Sequence, residues 1–244
     1  MSVRAGAAAL RAAAALLVLA AAGCETTQQL SAKLGRQLGP QNAIAGTTAI
    51  GARNRSVRIL RTELVPGNPA AVVLEVENTG ATVQVAMPVL IVVRDSKGAT
   101  VYRNDTKGIE PSLQQLALLP GHATAWWVDN EVLASGGVAA SVTAEVGASS
   151  TSAPVVPPRL TATGVSASNS FPGPHVDATI HNASRTSQRQ LPVYAVALRG
   201  TRVIGAGRGI VPALPAGSAA AIVIPMAGAV TGATTEITIA PSPN

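Results

Sequence analysis

Val72-Val73-Leu74-Glu75-Val76-Glu77-Asn78 alternates between apolar and charged side chains from Val72 to Glu77 and then breaks at an asparagine. A two-residue period places Val72, Leu74 and Val76 on one face and Glu75 and Glu77 on the other, which is the signature of a half-buried β-strand. Downstream, Met87 to Val93 is a nearly continuous apolar run, as expected of a central strand. Asp95-Ser96-Lys97-Gly98 reads as a turn, and Val101-Tyr102 opens a returning strand. Leu119-Pro120-Gly121 is a second turn, and His122 to Val128 and Val138 to Val146 complete the set. Short strands separated by turn chemistry, with no helical period between them, predict an all-β fold built as a sandwich.

The same order recurs farther along. Val176-Asp177-Ala178-Thr179-Ile180 alternates as Val72 to Val76 does, and it runs into Asn182 as the first runs into Asn78. Ten residues after each asparagine stands a proline, Pro88 and Pro192, and each is followed by an apolar strand. Leu214-Pro215-Ala216-Gly217 parallels Leu119-Pro120-Gly121. Landmarks in matching order imply tandem copies of one domain; solenoid repeats are shorter. The expected boundaries are 55–147 for the first sandwich and 159–244 for the second. Residues 148–158 are a Ser- and Pro-rich, semi-extended linker. Aromatic residues are scarce, so both cores must be aliphatic. Trp126 and Trp127 are adjacent in a strand and must point to opposite faces. One is expected to fill the first core, the other to be exposed or covered by the tether or the second domain.

These landmarks together resemble the small immunoglobulin-like domains of exported bacterial proteins, of the FxLYD or CARDB kind. The resemblance rests on the strand ending in Glu77-Asn78-Thr79-Gly80 or His181-Asn182-Ala183, the hairpin Arg94 to Val101, and the Leu-Pro turn before the late strand. Val92-Val93-Arg94-Asp95 stands where the first family has its aromatic-Leu-Tyr-Asp string. The resemblance implies two tandem immunoglobulin-like sandwiches that serve as binding or spacing units, not an activity.

The chain opens with Arg4 and Arg11, an uncharged Ala, Leu and Val run from Ala12 to Ala22, then Gly23 and the only cysteine, Cys24. A basic start, an apolar core and small residues at the cut define a signal peptide over residues 1–23. The apolar run is about half the ~20 residues a membrane-spanning helix needs. A single leftover thiol in an exported chain calls for an explanation. Ala21-Ala22-Gly23-Cys24 is similar to a bacterial lipobox, with Ala21 where that family usually has Leu. The resemblance implies lipid on Cys24 and an extracytoplasmic, membrane-anchored protein, at the outer membrane in a Gram-negative cell. Residues 24–54 then form a polar tether, either a spacer or a short helix carrying Leu30, Leu34 and Leu38 on one face.

Charge divides unevenly. Residues 55–147 hold seven basic and nine acidic side chains; residues 159–244 hold six arginines against Asp177 and Glu236. Arg185, Arg189, Arg199, Arg202 and Arg208 are candidates for an anion-binding face, because the guanidinium fork suits phosphate and carboxylate. His175 and Asp177 share a strand face, but His181 lies about 20 Å farther along it. No metal site and no cofactor are expected. Gly205-Ala206-Gly207-Arg208-Gly209 lacks the Lys-Ser/Thr of a phosphate loop and reads as a mobile hairpin or bulge. Nothing marks a nucleophile. The expected function is a non-enzymatic envelope lipoprotein. Its expected partners are the membrane, through Cys24, and an envelope protein or anionic envelope polymer, not nucleic acid. The alternatives are a spacer subunit of a larger envelope or export machine and, third, a cryptic hydrolase.

Overall fold

The computed structural model describes residues 50–106, 108–149 and 156–241. All of them belong to one compact unit, Ala45–Asn244. The signal segment, Cys24 and nearly all of the tether lie outside the described residues, as does part of the Ser/Pro linker.

The chain is all-β, built from antiparallel strands in two immunoglobulin-like sandwiches. The first half runs β1 (Val57–Val65), β2 (Ala70–Asn78), β3 (Gln84–Arg94), β4 (Thr100–Arg103), β5 (Gln115–Leu119), β6 (Thr124–Val132) and β7 (Ser141–Val146). One sheet has the order β1-β2-β6; in the other, β3 pairs with β4, β5 and β7. The second half runs β8 (Leu160–Ser168), β9 (His175–Asn182), β10 (Gln188–Arg199), β11 (Arg202–Leu214), β12 (Ala219–Gly228) and β13 (Thr234–Ile239). Its order, β13-β10-β11-β12-β9-β8, contains β8-β9-β12 and β13-β10-β11. Those are the sheets of the first half, strand for strand, with β4 and β5 corresponding to the single long β11. In the second half the two sheets are also joined at a corner, where Gly205, Ala206 and Gly207 pair with Gly228, Ala227 and Met226.

The duplicated landmarks share one physical task. Asn78 and Asn182 are buried. The Asn78 side-chain amide donates to the carbonyls of Thr82, Leu119 and Pro120 at 2.8, 3.2 and 3.0 Å. That of Asn182 donates to Thr186, Leu214 and Pro215 at 2.8, 3.1 and 3.1 Å. Each amide ties the end of one strand to the Leu-Pro turn, and its oxygen accepts the N–H two residues on, from Gly80 or Ser184. A buried side chain with several backbone partners is hard to replace, which accounts for the same residue standing at both places.

The halves are packed face to face. Trp127 lies inside the first core, its indole N–H donating to the carbonyls of Ser112 and Gln115. Trp126, on the other face of β6, is covered by the second half. Its indole N–H donates to Glu236 at 2.7 Å, and its backbone N–H to Thr238 Oγ1 at 3.0 Å. On β10, Leu191, Val193, Ala195 and Ala197 fill the second core, while Tyr194 and Val196 join the first half's apolar cluster together with Val203 and Ala206. A strand buried on both faces reads as a continuous apolar run, and this covered second face is why Val193 to Leu198 shows no alternation.

The cover is used once. Counting from the paired asparagines, Val73 corresponds to Asp177, and Trp126, opposite Glu75, corresponds to Ala221, opposite Thr179. Val73 and Trp126 are buried against the second half, whereas Ala221 and its neighbour Val223 are exposed.

Candidate functional site

The five arginines do not form one face. Arg189 and Arg199 lie near opposite ends of β10, about 33 Å apart at ~3.3 Å per residue. Arg185, in the loop after β9, belongs with Arg189; Arg202, across the hairpin, belongs with Arg199. Arg208 is withdrawn from the surface altogether. It sits mid-strand in β11 and is buried. The stretch Gly205 to Gly209, expected as a mobile hairpin or bulge, is likewise regular β11 strand. Its glycines are there for close approach: a Cβ on Gly207 would meet the Pro225 carbonyl oxygen at 2.1 Å, so only glycine lets β12 pair here.

Arg208 instead organises a polar cluster between the halves. Its guanidinium donates to Glu110 and to Ser112 Oγ, in the turn before β5, and to Glu131 at 2.7 Å, near the end of β6. Its carbonyl accepts from Asn130 Nδ2 at 3.4 Å. Beside it, Tyr102 donates its hydroxyl to Asp129 at 2.7 Å, and the Glu131 N–H donates to the other Asp129 oxygen at 3.0 Å. Burial pushes the Asp129 carboxyl up to about 6, against the lowering effect of those two hydrogen bonds. Burial also raises the hydroxyls of Tyr102 and Tyr194 well above the ordinary tyrosine range. Tyr194 stands directly across from Arg208 in the β10–β11 ladder. Its hydroxyl and Arg208 Nε are buried without a hydrogen-bond partner among the described residues. The cluster is a structural lock, and the pairs made by Arg208 span 77 to 98 residues of sequence. The one signal that could have found it was an arginine interrupting an otherwise uncharged strand, Val203 to Leu214.

The histidines have local roles. His175 lies 3.5 Å from Asp177 and shares its Nδ1 with the Gly173 carbonyl at 2.7 Å; His181 meets Thr163 Oγ1 at 2.8 Å. Among the described residues no three His, Cys, Asp or Glu side chains converge for a metal, and no helix is long and apolar enough to cross a membrane.

The loops of each half have fixed neighbours as well. β1 ends and β2 begins at the turn 66–69; β6 ends at Val132, opposite Ala70, and β3 ends at Arg94, opposite Ser141. In the second half, the β8–β9 loop, the hairpin at Gly200 and the β12–β13 loop share an end. There Asn169 Nδ2 donates to Thr231 Oγ1, and Arg199 donates to the Thr231 carbonyl at 3.0 Å. The hairpin at Gly200 lies against the middle of β1, where Arg61 donates to the Thr201 carbonyl, and the turn 66–69 lies against β12, where an added Cβ on Gly67 would meet Ala227 Cβ at 3.2 Å. Arg61 also lies over the Trp126 ring, 5.7 Å from its centroid.

Fold and surface together define a class: an all-β protein whose two immunoglobulin-like sandwiches are fused through a buried interface. No protein-family model matches the chain, and comparison with curated proteins gives no match. Among solved structures, red sea bream transglutaminase is similar at 11% identity and a TM-score of 0.26, over 90% of this chain and 32% of the transglutaminase. The chain thus spans about a third of that protein's length, and a likeness at this level says nothing about activity.

Proposed function

We propose that the protein is a lipid-anchored extracytoplasmic module of a bacterial envelope that works by binding or assembly and not by catalysis. The observation that carries this reading is the lone Cys24 directly behind a basic-then-apolar signal segment. Two further features support it. Tandem immunoglobulin-like sandwiches suit display of a surface, and the charged groups of the interface are consumed in holding the halves together. That lock also favours the second reading, a spacer subunit of a larger envelope or export machine, since two sandwiches fastened face to face hold a fixed separation.

Mass spectrometry of the mature N-terminus is the test. Diacylglycerol-modified Cys24 is the expected result, and Cys24→Ala should release the chain from membranes or leave it unprocessed. An unmodified mature terminus at any other residue would refute the anchor. A pull-down of the lipidated protein from its own envelope then separates the two readings. Stoichiometric protein partners favour the machine; polymer or lipid alone favours the binder. Turnover on a panel of hydrolase substrates would overturn both.

A further inference from the structure

The free edge of β8 is unguarded. Among the described residues β8 is hydrogen-bonded to β9 alone and closes its sheet. Its counterpart in the first half is β1, where Val57 stands opposite Asn78 as Leu160 stands opposite Asn182. Charged side chains on an edge strand discourage pairing with other chains, and β1 carries Arg58, Arg61 and Glu63. Arg58 and Arg61 are paired with Glu77 and Glu75 at 2.8 and 3.3 Å. β8 has no such charge: no Asp, Glu, Lys or Arg stands between Arg159 and Asp177.

Hydrogen bonding fixes which backbone groups that edge presents. At the end of β9 the Ala183 N–H donates to the Arg159 carbonyl, on the β8 side, while the Asn182 N–H donates to the Ser218 carbonyl, on the β12 side. Bonding alternates along an antiparallel strand. Arg159, Thr161 and Thr163 therefore bond towards β9, and Leu160 and Ala162 turn their N–H and C=O outward. Register shifts between Thr163 and Ser166 and resumes with Ser166 opposite Asp177, which turns Ala167 outward as well. The two most exposed large apolar side chains of the described residues flank this strand. Val156, 89% exposed, precedes it, and Phe171, 96% exposed, follows it. Phe171 sits in a turn closed by the Gly173 N–H on the Ser170 carbonyl at 2.8 Å, so little freedom remains for it to lose on contact.

From these observations we infer that the protein pairs with a second copy of itself through β8, edge to edge and antiparallel, about a twofold axis between Thr163 and Gly164. The register that matches the outward groups sets Leu160 of each copy against the partner's Ala167, and facing residues of this kind exchange both backbone hydrogen bonds. Thr161 then faces the partner's Ser166, a hydroxyl pair of the sort that stabilises antiparallel sheets. The same count sets Val156 against the partner's Phe171, once at each end, so the exposed apolar side chains cover one another. The backbone register and the apolar pair depend on different residues and give the same axis, which is what favours a second copy over an unrelated strand. The bulge points the same way. It breaks the edge into two arms; a straight strand follows only one of them, whereas a copy turned by a twofold brings an arm to each. A twofold contact is closed, so pairing stops at two chains. None of this depends on how the chain is held at a membrane.

The mature chain carrying Cys24→Ala, in buffer and free of lipid, supplies the test. Sedimentation equilibrium reads the mass, and disulfide formation reads the register. A mixture of Thr161→Cys and Ser166→Cys chains should oxidise to a covalent dimer, because facing residues at unbonded positions approach to about 4.5 Å between Cα atoms, within reach of a disulfide. Either variant alone should stay uncrosslinked. Thr161→Glu with Ser166→Glu sets like charges opposite one another at two places and should weaken dimerisation about tenfold. Thr161→Glu with Ser166→Lys sets opposite charges at the same places and should restore it. Both side chains are exposed in the single chain, so thermal unfolding of the variants should match the parent. A chain that is monomeric up to its solubility limit overturns the inference. So does a dimer that gives no mixed disulfide and ignores the charge variants, because such a dimer is built on another surface.

Discussion

Asp129→Asn should stabilise the protein at neutral pH and remove a characteristic loss of stability on going from acid to neutral solution. Asp129 is fully buried in β6. The groups facing it are the Tyr102 hydroxyl from β4, the Glu131 N–H and carboxylate on its own strand, and the Arg208 guanidinium from β11. Burial raises its pKa from 3.8 to about 6. Between these values the folded chain holds a proton that the unfolded chain has released, so stability falls as pH rises. The contribution is fully present below pH 3.8 and is lost as pH passes 6. At about 1.4 kcal/mol per pH unit the gap amounts to about 3 kcal/mol. Asparagine keeps an oxygen for the Glu131 N–H and offers its amide to the Tyr102 oxygen, without the charge. Urea unfolding of the two proteins from pH 3.5 to pH 7.5 is the assay. The stability difference in favour of the asparagine variant should grow across pH 4–6 and then level off. Parallel curves over that window, or a variant weaker at pH 7 than at pH 4, would refute the reasoning.

Other perturbations probe the lock and the repeated landmarks. Arg208→Met should be nearly neutral in thermal unfolding, because Glu110 and Glu131 retain partial access to water. Glu110→Gln with Glu131→Gln should cost about 3 kcal/mol, because it leaves a buried guanidinium unpaired; equal losses for both variants would contradict this. Asn182→Ala should cost about 2–3 kcal/mol in chemical denaturation, since Thr186, Leu214 and Pro215 lose their donor, and Asn78→Ala should match it. Gly207→Ala drives a methyl against the Pro225 carbonyl; a loss of at least about 3 kcal/mol, with faster hydrogen exchange along β12, is the expected result.

Short-range chemistry is what made this fold readable. Alternation in Val72 to Glu77 and the Leu-Pro turns act within a few residues of themselves, while the asparagines, which reach 32 to 42 residues along the chain, were visible because each stands at the same place in both repeats. Trp126 and Trp127 had to face opposite ways, and the second half proves to be the cover for Trp126. What stayed hidden depends on partners far along the chain. Periodicity tells which faces of β10 are buried but not what buries them, so Tyr194 and Val196 passed as part of an ordinary central strand. Arg208 counted as a surface charge because Glu110 and Glu131 lie far away in sequence. The arginine face failed for a simpler reason: β10 is long, and residues at its two ends share a count but no location.

The replacement of Val73 and Trp126 by Asp177 and Ala221 at matching places has a consequence for assembly. A contact between the back of one repeat and the front of the next is a head-to-tail contact. Such contacts grow without limit when every copy offers both surfaces and the rotation does not close a ring. The second repeat presents a carboxylate and an alanine where the first presents a valine and an indole, so it has lost the surface on which another copy could build. The contact that joins the two repeats is therefore not offered a second time on the outer face of β9 and β12.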